Sequence, residues 1–205
     1  MTRIKICGTT SLDDALAALD AGADALGFIL WPQSKRYVAA ERVVEIVRAL
    51  PPFTYTVGVF VDQPAAEMMA VRRSAGLAAL QLHGDEAPSI LADLEGPVLK
   101  AFRVAPTPDV LARWTVAGFL ADGASETEKG GAGKAASAAL IAALQPTGRL
   151  VLAGGLTPDN VGARIAALRP YAVDAVSGVE AAPGRKDHAA LRRFVAAVRA
   201  ADNGK

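Results

Sequence analysis

The sequence predicts an α/β protein built as a closed eight-stranded barrel, and three observations carry that expectation. Short apolar runs alternate with longer, alanine-rich amphipathic segments along the whole chain. The apolar runs lack the strict every-second-residue pattern of a half-exposed sheet, as strands buried on both faces of a parallel sheet should. Eight strand–helix pairs in 205 residues average about 26 residues each, near the lower size limit of the (β/α)8 or TIM barrel. An open doubly wound sheet could use the same alternation. However, the first strand–helix turn, Cys7-Gly8-Thr9-Thr10-Ser11, lacks the three-glycine dinucleotide fingerprint.

The pairs run as follows. A strand at Arg3–Cys7 precedes a helix at Ser11–Ala21, with Asp13 and Asp14 in a first turn where the helix dipole favours negative charge. Strand Ala25–Leu30 is followed by helix Ala40–Leu50, strand Thr56–Val61 by helix Pro64–Ser74, and strand Ala79–Leu82 by helix Glu86–Leu94. Strand Val98–Ala101 leads to helix Pro108–Trp114, and strand Gly118–Ala121 to helix Ser137–Leu144. Strand Leu150–Ala153 with helix Pro158–Leu168, then strand Ala172–Val176 with helix Asp187–Ala201, complete the series. Thr107-Pro108 and Thr157-Pro158 each offer a capping hydroxyl before a proline at the first helical position. Gly22 and Gly76 end helices just before a buried strand. In the last helix Leu191, Phe194, Val195 and Val198 share one face and Arg192, Arg193 and Arg199 the other. No Pro/Ser-rich linker or charge block marks a boundary, so residues 1–205 are expected to form a single domain.

Composition excludes several functions. A formal charge of +1 is too small for the basic field of a duplex binder, and 5% aromatic content leaves little for base stacking. One cysteine forbids an intramolecular disulfide, and two histidines leave little for a nitrogen/sulfur metal site, so no metal is expected. The longest charge-free stretch, residues 135–148, is 14 residues, short of the ~20 a membrane span needs. Met1-Thr2-Arg3-Ile4-Lys5 has no apolar signal-peptide run. The expectation is a cytoplasmic protein that binds neither nucleic acid nor membrane.

Barrel chemistry sits at strand C-terminal ends and the loops after them. Those ends carry Cys7, Gln33-Ser34-Lys35-Arg36, Asp62, His83, Arg103, Asp122, Gly154-Gly155 and Asp174 to Gly178, an ionisable set for so apolar a chain. The paired glycine turns Gly154-Gly155 and Ser177-Gly178 suit phosphate, because backbone without side chains lets amides approach the oxygens. A lone cysteine is as a rule a small buried hydrophobe. Near positive charge, a thiol of ordinary pKa about 8.5 is also a usable base, and both readings of Cys7 stay open. Asp122 tops an apolar strand, where desolvation should raise its pKa and suit it to general-acid work. It precedes Lys129-Gly130-Gly131-Ala132-Gly133-Lys134, a Gly-rich run able to close over a ligand. Arg36 could fork a carboxylate or lie solvated on the surface, and His83 could touch substrate or line the rim. Asp174, inside a buried strand, calls for a partner or a ligand. His188 is expected in the first turn of the last helix, with Asp187 as cap.

The motifs appear together and in order: Lys5-Ile6-Cys7-Gly8-Thr9-Thr10, Ser34-Lys35-Arg36-Tyr37, Val57-Gly58-Val59-Phe60, Gln81-Leu82-His83-Gly84, Gly154-Gly155-Leu156-Thr157-Pro158-Asp159-Asn160-Val161, Val176-Ser177-Gly178-Val179-Glu180 and Lys186-Asp187-His188. Over essentially the whole chain the pattern resembles the phosphoribosylanthranilate isomerase family of tryptophan biosynthesis. The resemblance implies a barrel enzyme that converts N-(5-phosphoribosyl)anthranilate to 1-(2-carboxyphenylamino)-1-deoxyribulose 5-phosphate by an Amadori rearrangement, without a cofactor. By position it implies Cys7 as general base, Asp122 as general acid, Arg36 at the anthranilate carboxylate, and the two glycine turns at the phosphate. His83 and Asp174 join them as expected substrate contacts. The implied partner is a small phosphorylated substrate, met by a monomer or homodimer. Three departures surround the sixth loop and the phosphate end. Ala136-Ser137-Ala138 replaces a usual Phe-Asp-Trp, Val176 a usual serine, and Gly123 a usual hydroxyl residue. The alternatives are another phosphosugar isomerase or epimerase barrel, which would usually carry a carboxylate at the place of Cys7 or bind a metal, and a non-catalytic phosphate-binding barrel.

Overall fold

The computed structural model describes residues 1–123 and 135–204, and its eight main strands close into one parallel barrel in sequence order. They are β1 (Arg3–Cys7), β2 (Ala25–Ile29), β3 (Tyr55–Phe60), β4 (Ala79–Leu82), β5 (Val98–Phe102), β6 (Gly118–Ala121), β7 (Leu150–Leu152) and β8 (Ala172–Ala175). Closure is made by β1, which pairs with β2 on one side and with β8 on the other, Lys5 lying opposite Asp174. Outside run α1 (Leu12–Ala21), α2 (Ala40–Ala49), α3 (Ala65–Ala75), α4 (Pro108–Ala112), α5 (Ala138–Leu144), α6 (Val161–Leu168) and α7 (His188–Asn203).

The strands do not alternate because both faces are buried. One face packs Ile4, Ile6, Leu26, Phe28, Phe60 and Leu80 against the helices. The other fills the barrel interior with a small cluster of Ala101, Leu120, Val151, Ala153 and Ala172. Caps explain most helix starts. The Ser11, Thr107 and Ser137 hydroxyls accept the amides three residues on, and the Asp187 carboxylate accepts the Ala189 and Ala190 amides at 2.9 and 3.0 Å.

Three segments differ from expectation. The helix expected at Glu86–Leu94 is a 3-10 segment, Pro88–Asp93. Gly96, with φ of 75°, and Pro97 follow within four residues and end the segment before an α-helical register can establish itself. The helix expected from Pro158 begins at Val161, and the Thr157 hydroxyl does not cap it. Instead the Asn160 amide ties the preceding turn, accepting from Thr157 N at 2.9 Å and donating to Gly155 O at 2.8 Å. Beyond β8 lies a two-stranded hairpin that no sequence pattern announced, β9 (Glu180–Ala182) and β10 (Arg185–Lys186). That hairpin delivers two buried charges to the barrel mouth. The Lys129–Lys134 run lies outside the described residues.

Candidate active site

The C-terminal ends of the strands surround a cleft of about 740 Å³ including its open mouth, lined by Cys7, Arg36, His83, Asp122, Gly154, Gly155, Asp174 and Ser177. These are all but one of the residues expected from sequence to act on, hold or touch the substrate. The exception is Gly178, which stands behind the lining against the carbonyl of Leu156. Asp62 and Arg103, also at strand ends, do not line the cleft.

Cys7, at the end of β1, is 3% exposed. Gly27 on β2 makes its place, since a Cβ there would fall 2.6 Å from Cys7 Sγ and 3.1 Å from Lys5 Nζ. Burial pushes the thiol above its ordinary value, with Lys5 and Lys186 pulling it down and Asp174 adding to the rise. Lys5 Nζ hydrogen-bonds Asp174 Oδ2 at 2.9 Å in a buried pair, and the same ammonium favours the thiolate of Cys7. One cation therefore serves two acids, and burial raises Asp174 as well. Ionising Cys7 and Asp174 together leaves two anions on one ammonium.

On the opposite wall, His83 Nε2 lies 3.0 Å from Asp122 Oδ2, and His83 Nδ1 lies 2.9 Å from Gln81 Nε2. Arg36 does hold a carboxylate in bidentate fashion, but the carboxylate is that of Glu180. Nε and Nη2 donate to its two oxygens at 2.8–3.0 Å. Arg36 Nη1 makes no hydrogen bond among the described residues, so the outer edge of the fork is open. Lys186 joins Glu180 Oε1 at 3.2 Å to the Cys7 carbonyl at 2.5 Å. Burial lowers its pKa, with Glu180 opposing.

The glycine turn after β7 leaves its backbone bare. Gly154 and Gly155 have φ of 83° and 62°, a left-handed conformation that favours glycine. Among the described residues neither amide donates a hydrogen bond. Ser177 opens a 3-10 turn, Ser177–Val179, whose Gly178 packs against Leu156 and Thr157 just beyond these glycines. No three His, Cys, Asp or Glu side chains among the described residues gather as a metal site would need. No helix there is long and apolar enough to cross a membrane.

Comparison with known proteins agrees with this geometry. A family model described as N-(5'phosphoribosyl)anthranilate (PRA) isomerase matches residues 4–197. The chain belongs to that family. An N-(5'-phosphoribosyl)anthranilate isomerase from Geobacter sp. (strain M21) is 48% identical over 202 residues, 96% of this chain and 97% of the relative. The crystal structure of phosphoribosyl anthranilate isomerase from Thermus thermophilus matches with a TM-score of 0.88 at 42% identity, over 97% of this chain and 99% of that one. Another isomerase structure, in complex with reduced 1-(o-carboxyphenylamino)-1-deoxyribulose 5-phosphate, matches with a TM-score of 0.82 at 36% identity, over 98% and 100%. The conversion of phosphoribosylanthranilate to the carboxyphenylamino-deoxyribulose phosphate is the reaction of this isomerase.

Four residues of the isomerase site carried no assigned role in the sequence reading: Lys5, Gln81, Glu180 and Lys186. Lys5 and Gln81 gave the same signal as Asp174, a polar side chain inside an apolar strand. Glu180 and Lys186 gave none, because they depend on the hairpin. Of the departures from the isomerase pattern, Ser137 is the mildest. Its hydroxyl accepts the Leu140 amide at 3.2 Å and caps α5, a task an aspartate at that position performs equally well.

Proposed function

We propose that the isomerisation runs on two groups, Asp122 as acid and Cys7 as base. Asp122 gives its proton to the furanose ring oxygen. The C1–O bond then breaks and the nitrogen lone pair forms an iminium ion. That electron sink acidifies the sugar C2–H, and the Cys7 thiolate removes the proton. The resulting enolamine tautomerises to the ketose, so no atom is gained or lost. The observation that carries this reading is that Cys7 and Asp122, from β1 and β6 of one barrel, line a single cleft. An acid and a base on facing walls serve opposite faces of one ligand.

Binding follows from the same surface. The open Gly154 and Gly155 amides, with the Ser177-Gly178 turn behind them, take the phosphate. The outer edge of Arg36 takes the anthranilate carboxylate while Glu180 holds the inner edge rigid. His83 and Asp174 face the sugar between these anchors.

The test is anthranilate fluorescence during turnover of freshly generated phosphoribosylanthranilate. Cys7→Ser and Asp122→Asn should each lower kcat by about 10²–10⁴-fold, as expected for general acid–base groups, with circular dichroism unchanged. Near-normal turnover in either folded variant removes that residue from the mechanism.

A further inference from the structure

Asp122 belongs to a hydrogen-bonded chain that begins on a different strand. Gln81 lies in β4 and is 1% exposed. Its Nε2 faces His83 Nδ1 at 2.9 Å, and His83 Nε2 faces Asp122 Oδ2 at 3.0 Å. An amide nitrogen only donates, so Nδ1 accepts and carries no proton. The single proton of the neutral ring is then on Nε2, where it donates to Oδ2. An oxygen that accepts an N–H is not the one that holds the acid proton. A protonated Asp122 therefore carries its proton on Oδ1.

The other end of the chain is unfinished. Gln81 Oε1 is buried without a hydrogen-bond partner, and Gln81 lines the cleft. Asp174 Oδ1, in the same cleft, is in the same condition. Two orphaned acceptors call for donors on the ligand. A substrate phosphate and carboxylate offer only acceptors, and the one anilino N–H lies beside its own ortho carboxylate, so the sugar hydroxyls are the groups that fit.

We infer that Gln81 is a positioning residue that couples sugar recognition to the acid: Oε1 accepts a substrate sugar hydroxyl, while Nε2 holds His83 in the tautomer that keeps the Asp122 proton on Oδ1. The inference rests on the reading of Asp122 as the acid. Turning the amide over shows what is at stake. Oε1 would then face Nδ1 and draw the ring proton there. His83 Nε2 would be left as an acceptor, and the acid proton would settle in the Asp122–His83 bond.

The experiment reads the ring directly. The chain has two histidines, so ¹⁵N-histidine NMR with a His188→Gln variant for assignment isolates the His83 signals. The expected result at neutral pH is a bare Nδ1 and a protonated Nε2. Gln81→Glu, which can only accept, should place a proton on Nδ1, and Gln81→Met should leave a mixture of tautomers. Gln81→Met, which has no oxygen acceptor for the hydroxyl, should bind reduced 1-(o-carboxyphenylamino)-1-deoxyribulose 5-phosphate about three- to tenfold more weakly, the effect of one lost hydrogen bond. Gln81→Glu keeps an acceptor there and should change the tautomer with little change in affinity. Both should also lower kcat, while inorganic phosphate binds as before. A protonated Nδ1 in the unaltered protein overturns the inference, as do variants that keep both the tautomer and the analogue affinity. A loss of stability alone, with tautomer and affinity kept, also overturns it by showing a purely structural role. Undiminished turnover in Asp122→Asn would remove the acid instead, and the NMR result would stand apart from it.

Discussion

The reactivity of Cys7 is set by neighbours that the sequence places two residues away and on the far end of the chain. Burial raises the thiol, and the Lys5 ammonium is the largest force in the other direction. The free enzyme's base should therefore titrate above the ordinary thiol value, and kcat/KM should still be rising with pH there. Lys5→Met removes the attraction to the thiolate. It also releases Asp174 to take up a proton, because Lys5 is what holds that carboxyl down against burial. Losing the Lys5 attraction outweighs losing the Asp174 repulsion, so the rising limb should move to still higher pH. A limb that stays or moves lower would show that Lys5 does not govern the base. At this scale Cys7, Asp122, Arg36, His83 and Asp174 were legible because each is a polar or reactive type at a strand end. Gln81 carries the same signal as Asp174, a polar side chain inside an apolar strand, but its partner cannot be read until β4 and β6 curve towards each other.

Among the elements, the loops after β7 and β8 carry the phosphate reading, and Gly178 is where they meet. A Cβ on Gly178 would run into the Leu156 carbonyl and come within 3.1 Å of Thr157 Cα, both backbone. Backbone cannot rotate away as a side chain can, so the two loops would have to part. Gly178→Ala should cost about 1–3 kcal/mol, the usual range for overpacking, measured by urea unfolding. It should also raise KM for the phosphorylated substrate more than it lowers kcat. Unchanged stability and KM would mean that the two loops are not packed as one unit. The glycine pairs were readable from the sequence because few residues tolerate such turns. The hairpin β9–β10 was not, because Glu180–Lys186 is short and charged and reads as loop. Only its docking explains it: Lys186 N donates to Asp14 on α1 at 3.0 Å, and Lys186 Nζ reaches the Cys7 carbonyl. The 3-10 segment Pro88–Asp93 shows the opposite failure, an apolar period long enough for a helix but cut off by Gly96-Pro97.

For the whole molecule, eight strand–helix units form a barrel only if the two ends of the chain are brought together, and the alternation that revealed the fold says nothing about what fastens them. The β1–β8 ladder does part of this. The rest is a polar clasp on the opposite face from the cleft. Thr2 bonds Asp202 through N and Oγ1 at 2.6 and 2.8 Å, and Arg199 of α7 donates to Thr2 O at 2.7 Å. Asp24, just before β2, gathers Arg3, the Ile4 amide and Arg199 at 2.8–3.2 Å. Burial alone would raise the Asp24 carboxyl, but those three donors hold it below its ordinary value of 3.8. Below 3.8 the unfolded chain then binds more protons than the folded one, so stability rises with pH across that window. The contribution is complete above 3.8 and is lost as pH falls through the depressed folded value. Asp24→Asn should destabilise by about 1–2 kcal/mol near pH 7, a hydrogen-bonded charge discounted for partial exposure. The gap between wild type and variant should close as urea titrations are carried down through pH 3.8. A gap that stays constant to the acid limit of folding would show that packing around residue 24, and not its charge, holds the ends of the barrel together.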